Sequence, residues 1–415
     1  MLERRVRVTS EIGPLRSVIC HSPGPELLAV TPSTKKDFLY DDIISLESAA
    51  REHKRFKAIL SRFAQVHEVR DLLREILETA EARQFLIDRV VDVAQSKSLA
   101  RKLEGLSAAE LVRLFVEGEA MEQGPLARLL NVQSYAMPPL PNLFFTRDAA
   151  MVVGDGVVIG SMRFNVRWTE EVLMKALFTF HPSLRNAGLI YDGTEERRAG
   201  YTIEGGDVHV LRPDTVIMGL SQRSSPAAFD GITAKLAERH GVEHVIIVVL
   251  PSSRAMIHLD MVFTMVDREH AVVFPPAFVG PDRYAVLYWR KDQPGGMQEM
   301  PNVFAALRAV DLPLEPIFCG GDHRVFQERE QWSSGCNFVA VRPGVVLGYS
   351  RNERTYREME EQAGFRIIHG TDFLTGDAEL TDGERAVLTF EGAELVRGGG
   401  GGRCMTLPVL REDVW

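Results

Sequence analysis

A tempo of hairpin, helix and strand returns along this 415-residue chain, and it restricts the fold more than any other feature. "AAMVVGDGVVIG" (149–160) sets two apolar runs about an Asp-Gly turn, "VHVLRPDTVIMGL" (208–220) does so about Arg-Pro-Asp, and "NFVAVRPGVVLGY" (337–349) about Arg-Pro-Gly. Turn residues of these types between apolar runs mark β-hairpins. An amphipathic helical period follows each, over 168–179, 227–240 and 352–362. A lone hairpin cannot bury its apolar face, so such modules must share a core. The rhythm predicts α/β modules arranged about a common centre rather than one doubly wound sheet. Near the start, "PLRSVIC" (14–20) reads as a buried strand ended by the turn "HSPG". The stretch 41–63 reads as a helix with acids first and bases last, and "QVHEVRDL" as a strand.

Between about 72 and 131 the period changes. "LLREILETAEARQFLIDRVVDVAQ", "KSLARKLEGL", "SAAELVRLFVEGEAM" and "PLARLLNV" are helical throughout, with Ser107 placed to cap the third. The expected division is therefore 1–71 and 132–415 as one α/β domain, with 72–131 an all-helical insertion.

Charge and cysteine usage narrow the function. A formal net charge of −9 excludes the basic surface that a nucleic-acid binder needs. The apolar run "HVIIVVL" is far too short to span a membrane, and the start lacks the apolar core of a signal peptide. Cys20, Cys319, Cys336 and Cys404 are scattered, without metal-binding spacing, so no disulfide framework or metal is expected and a reducing cytoplasm is the default. No Gly-rich phosphate loop followed by Lys is present.

Three stretches bring chemistry-bearing side chains together. In "MIHLDMVF" (256–263), read as a strand, His258 and Asp260 share a face, beside each other as base and carboxylate. A polar pair on an edge strand is the other reading. In "YTIEGGDVHV" (201–210), Glu204 and Asp207 flank Gly205-Gly206, where a tight turn would present both carboxylates; an ordinary turn is the alternative. "PLPNLFFTRD" (139–148) joins two phenylalanines to Arg147-Asp148, suited to hold a flat guanidinium or to end an apolar strand in a solvated charge pair. The arginines of "RFNVRW" and "SQRSSP" read by themselves as surface residues. Finally "GGGGGRCMTLPVLRED" (398–413) sets five glycines before Cys404, a thiol needing a cationic neighbour or substrate to ionise, since its ordinary pKa is about 8.5.

Taken together, "SEIGPLRSVICHSPGPEL", "MPPLPNLFFTRD", "SMRFNVRWTEE", "EGGDVHVL", "MIHLDMVF", "CGGD", "REQW" and "RCMTLPVLREDVW" resemble arginine deiminase, of the guanidine-modifying (amidinotransferase) superfamily, nearly end to end. The resemblance implies a five-bladed pseudo-symmetric α/β propeller with an inserted all-helical bundle. It also implies hydrolysis of L-arginine to L-citrulline and ammonia without cofactor, in a cytoplasmic homo-oligomer (dimer or tetramer). Carried onto this chain, Cys404 is the nucleophile, His258 the general acid and base, and Glu204 its orienting partner. Asp148 and Asp260 grip the guanidinium, and Phe145 packs on its plane. Asn142, Arg167 and Arg223 hold the α-carboxylate end, and Asp207 supports the Gly-Gly turn.

Some relatives place an arginine five residues before the cysteine. This chain has Gly399 there, Arg397 two residues earlier and Arg403 beside the thiol. A floppier lid, and weaker discrimination at the α-amino end, are therefore expected. An amidinotransferase, a deiminase of a modified arginine and a non-catalytic arginine-binding protein are the alternatives.

Overall fold

A computed structural model describes residues 6–130, 134–195, 200–293 and 295–415. Its strands form six separate sheets among the described residues, and none closes on itself. Five of them share one plan: an antiparallel pair, then a parallel strand reached through a helix, as a parallel connection requires. In the first, Leu15–Cys20 pairs antiparallel with Leu407–Arg411 and parallel with Gln65–Glu68, across helix Leu46–Leu60. The second sets Ala150–Val153 against Gly156–Ile159 and adds Leu189–Asp192 after helix Trp168–Phe180. The third sets Val208–Arg212 against Thr215–Leu220, adds His244–Val249 after helix Pro226–Arg239, and extends outward by Val286–Arg290 and Met297–Met300.

The fourth sheet pairs Phe263–Met265 with His270–Val273 and adds Glu315–Phe318. The fifth pairs Val339–Arg342 with Val345–Tyr349, adds Ala386–Phe390, and carries Arg366–His369 beyond it. The three hairpins read from the sequence are present, in the second, third and fifth sheets, while the antiparallel pairs of the first and fourth sheets left no turn signal that the pattern reading found. In the first hairpin Val153 faces Gly156, so the turn is Gly154-Asp155, one residue earlier than the expected Asp-Gly. Gly154 takes the left-handed φ of 61° that this two-residue connection requires.

The strand expected over 256–263 begins only at Phe263. Before it, His258 is extended and Leu259–Met261 form a short 3₁₀ turn. His258 and Asp260 are therefore not alternating neighbours on a pleated face: His258 meets Glu204 and Asp148, and Asp260 meets Arg403 and Cys404.

The helical block holds Val69–Ile76, Ala80–Ala94, Lys97–Glu104, Ala108–Glu117 and Pro125–Leu129. Ser107 caps the fourth of these in a reciprocal box with Glu110. The first helix starts at Val69, continuing directly from the strand that ends at Glu68, and Glu119–Ala120 form a small strand paired with Tyr135–Met137. Residue 131 lies outside the described residues. Leu72, Leu73, Ile76, Leu86, Val90, Leu111 and Phe115 are all buried in one cluster with Ala150, Val157, Leu173 and Leu177, so the block and the second sheet share a core. Each such side chain contributes about 1.5–3 kcal/mol through burial. No helix among the described residues is long and apolar enough to cross a membrane.

Candidate active site

One geometric rule places the functional side chains. Just before the antiparallel pair of each repeated sheet, a short irregular segment turns inward and carries a polar side chain. These are Cys404 ahead of Leu407, Asp148 ahead of Ala150, Glu204 ahead of Val208, Asp260 ahead of Phe263, and Asn337 ahead of Val339. All five are buried.

Their contacts form a chain. The Cys404 sulfur lies 3.5 Å from Asp260 Oδ2 and receives the Asn337 amide at 3.2 Å. Arg403, with no exposed surface, donates to Asp260 Oδ2 at 2.9 Å and grips both oxygens of Glu11 at 3.1 Å. On the other side Asp148 Oδ2 accepts from Arg167 at 2.7 Å, and His258 Nδ1 stands 3.7 Å from Asp148 Oδ1. His258 Nε2 is 2.9 Å from Glu204 Oε2, which also accepts from Arg223 at 3.1 Å. Asp148 Oδ1 and Asp260 Oδ1 are buried with no hydrogen-bond partner. Two unpartnered carboxylate oxygens beside a thiol are a receptor for a cation that can donate to both.

The electrostatics follow from burial and these neighbours. Burial works against a charged His258, but Asp148 and the bond to Glu204 outweigh it and raise its pKa to about 9, so the ring is an imidazolium at neutral pH. Burial would raise Glu204 as well; Arg223, His258 and Arg167 hold it well below the usual carboxylate range. The Cys404 thiol is pushed up by burial first and then by Asp260 and Asp148, so it is a neutral thiol until a positive group arrives. Asp148, Glu204 and His258 place ligand atoms within 4.8 Å of one another and could hold a metal, but Arg167 and Arg223 already bind these carboxylates.

The Gly205-Gly206 pair is explained by closeness. A Cβ on Gly205 would lie 2.0 Å from the Arg147 carbonyl oxygen, and one on Gly206 would lie 2.5 Å from the His258 ring. The glycine run before Cys404 is equally packed. Cβ atoms at Gly398 and Gly400 would meet the Phe145 ring at 2.9 and 2.6 Å, and one at Gly401 would meet Asn337 at 2.8 Å. The loop expected to be floppy lies against Phe145 and the amide of Asn337. Gly401 and Cys404 both donate backbone N–H to Asn337 Oδ1 at 3.1 Å.

Other expected residues are placed differently. Arg167 and Arg223 are buried, not surface residues. Arg167 is held bidentately by Glu170, whose pKa burial raises against the pull of Arg167, and Arg223 packs 4.9 Å over the Phe164 ring. Both are engaged with site carboxylates, Arg167 with Asp148 and Arg223 with Glu204, while Arg223 Nε is buried without a hydrogen-bond partner. Asn142 spends its amide on the Phe38 carbonyl. Asp207 has its oxygens occupied by Ser221, Ser224 and the Leu259 N–H, and burial raises its pKa to about 7. Arg147 turns from Asp148 toward Glu11 and the Arg403 carbonyl, and burial lowers its pKa to about 10. Arg397 pairs at the surface with Asp42. Glu11, Glu170 and Asn337 carried no motif of their own; only their position relative to the repeated sheets could have flagged the last.

Residues 36–411 match the model of the arginine deiminase family. The arginine deiminase of Streptococcus agalactiae serotype Ia is 32% identical over 435 residues, covering 99% of this chain and 98% of the relative. That of Streptococcus pyogenes serotype M49 is 31% identical with the same coverage. The product-bound N-terminal domain of ArgZ, an arginine dihydrolase from Cyanobacteria, superposes with a TM-score of 0.53 at 14% identity, over 95% of this chain and 97% of that one. An adduct of dimethylarginine dimethylaminohydrolase with S-methyl-L-thiocitrulline gives 0.51 at 14%, over 95% and 99%. The structural likeness is one of fold, the mixed α/β fold of small sheets found in guanidine-modifying enzymes. The full-length sequence matches go further: this chain belongs to the arginine deiminase family.

Proposed function

We propose that this protein hydrolyses L-arginine to L-citrulline and ammonia, with Cys404 as nucleophile and His258 as acid and base. The observation that carries the reading is the pair of unpartnered oxygens, Asp148 Oδ1 and Asp260 Oδ1, beside the thiol. A guanidinium donating to both would be fixed flat and held in a buried, water-poor space. Its charge offsets the two carboxylates that keep Cys404 protonated, so the thiol gives up its proton to solvent when substrate binds. The sulfur then forms a bond to the central guanidinium carbon, whose C=N electron pair moves onto nitrogen. His258 delivers a proton to the leaving nitrogen, the C–N bond breaks and ammonia departs, leaving an S-alkylthiouronium. Water gives its proton to His258 and attacks the same carbon. Collapse breaks the C–S bond as the new hydroxyl gives its proton to the departing sulfur, restoring the Cys404 thiol and releasing citrulline. Glu204 keeps the imidazole oriented through both halves.

Arg167 and Arg223 serve the α-carboxylate by exchanging part of their bonding to Asp148 and Glu204 for it. Their buried contacts to Glu170 and Phe164 keep them in place while they do. The five sheets of common plan, each leading a polar side chain to one point, support the reading as a five-bladed propeller with 72–131 as its helical insertion. Exposed Met121, Leu126, Leu129 and Leu130 on that insertion support the homo-oligomer reading.

Incubation of the purified protein with L-arginine should yield citrulline and ammonia in equal amounts, while agmatine and an added amine acceptor serve as controls. Cys404→Ser should abolish turnover, by at least about a thousandfold, with folding retained. Undiminished citrulline release from that variant would remove the nucleophile assignment.

A further inference from the structure

We infer that Asn337 is a further catalytic residue, its side-chain amide donating a hydrogen bond to the sulfur of Cys404 and stabilising the thiolate; the inference rests on the deiminase reading above. The first argument is position. Asn337 occupies, in the fifth repeated sheet, the place that Cys404, Asp148, Glu204 and Asp260 occupy in the other four, immediately ahead of the antiparallel pair. It is 1% exposed and points to the same centre.

The second argument is the direction of its amide. Its Oδ1 lies 3.1 Å from the backbone N–H of both Gly401 and Cys404, groups that can only donate. The oxygen must therefore face them, and the NH₂ must face the opposite way. There it meets the backbone carbonyl of Asp260 at 3.1 Å and the Cys404 sulfur at 3.2 Å, with the Met261 sulfur farther off at 3.9 Å. A flipped amide would set its NH₂ against two N–H donors, so donation to sulfur is enforced by the fold.

The third argument is need. The charged and titratable groups facing the sulfur are Asp260, Asp148, Arg403, Arg147 and Tyr349. The two carboxylates and burial oppose the thiolate. Arg403 and a backbone hydrogen bond from Gly401 favour it, but Arg403 is already held by Glu11 and Asp260, and Arg147 donates to the Arg403 carbonyl. Asn337 is the neutral side chain whose N–H reaches the sulfur directly. The same amide closes the glycine run over Phe145, so it fixes the nucleophile's position as well as its ionisation.

The test is the pH dependence of Cys404 alkylation by iodoacetamide, followed by peptide mass spectrometry so that the other cysteines do not contribute. Asn337→Ala removes the donor and the loop lock together. Asn337→Asp keeps acceptors for Gly401 and Cys404 but, measured above pH 8 where it is ionised, sets an oxygen against the sulfur. The expected result is a Cys404 midpoint displaced upward by about one pH unit or more in both variants, a tenfold loss of thiolate at a given pH. With it should come a kcat fall of about ten- to a hundredfold and KM within about threefold. If the alanine variant does not fold, the aspartate variant carries the test. Folded variants whose alkylation profile superposes on the parent would overturn the inference, whatever their activity, because a purely structural asparagine leaves the thiol unmoved. A displaced midpoint in a protein whose parent makes no citrulline would sink the deiminase reading and leave the amide–sulfur bond standing.

Discussion

Two buried ionic clusters of the molecule are finished to different degrees. Around His21, the carboxylates of Glu26 and Glu68 have every oxygen taken, by His21, Arg70, Lys57, Ser22 and the Gly24 N–H. Around Cys404, Asp148 and Asp260 each have one oxygen satisfied by an arginine and one left bare. A buried carboxylate oxygen without a partner costs free energy, so a fold keeps it only where something else will fill it. The cluster whose carboxylate oxygens are all taken joins the first strand to the helical block, through Arg70 and Glu117, and acts on stability. The incomplete one is built to bind.

Paired substitutions should separate the two. Asp148→Asn is expected to lower kcat/KM for arginine by at least about a hundredfold, since a charged contact to the reacting group is lost. Arg167 keeps its bidentate hold on Glu170, so little stability goes with it. Glu26→Gln should do the reverse, costing about 3 kcal/mol in urea unfolding by stranding His21 and Arg70, with kinetic constants near the parent's. Equal losses of activity from both would erase the distinction.

Titration sharpens the same contrast. Burial opposes a charged His21, but bonds to Glu26 and Glu68 raise its pKa from 6.5 to about 9. A raised folded pKa gives stability that is complete below pH 6.5 and lost as pH rises through about 9. At the acid end burial is again outweighed: His21 first, with Arg70 at Glu26 and Lys57 at Glu68, lowers both carboxylates, so their share is complete above pH 4.5 and lost as pH falls. The margin of the parent over His21→Gln should therefore be widest between pH 4.5 and 6.5, on the order of 3 kcal/mol, and should close above pH 9. A margin independent of pH would mean that the imidazole is not charged in the fold.

The glycine run gives a smaller effect. Gly400→Ala would drive a methyl group into the Phe145 ring and toward Cys404 Cβ, 3.0 Å away. A kcat loss of about tenfold and a destabilisation of about 1–3 kcal/mol are expected. A kinetically silent Gly400→Ala would restore the loose-lid reading. Smallest of all is Arg397→Ala, which removes an exposed ion pair with Asp42. Stability should change by less than about 1 kcal/mol, and both kcat and KM should stay within about twofold. A larger kinetic change would give Arg397 a part in holding substrate.

Much of the fold was legible because it is written at short range. Alternation about Pro-Gly or Gly-Asp turns, the 3.6-residue period of 168–179 and the Ser107 cap are each fixed within a dozen residues. The fourth sheet escaped because its first strand, Phe263–Met265, is too short to show alternation. The residue types at Asp148, Glu204, His258, Asp260 and Cys404 were legible as chemistry once their motifs were read together. What each one touches was not. Asp207 looked like a companion of Glu204 until the serines at 221 and 224 were seen to enclose it. Arg167 and Arg223 looked solvated because nothing nearby in the chain says that they are buried.

By itself, then, the sequence determined the modules and the reactive groups, through local backbone preferences and hydrophobic period. Only the tertiary structure decided that Glu11 would hold Arg403 across the chain, that the glycines would press on Phe145, and that an unremarked asparagine would face the sulfur. The reason is physical: local pattern fixes how a segment folds, but which buried polar atom is satisfied depends on the packing of sheets hundreds of residues apart.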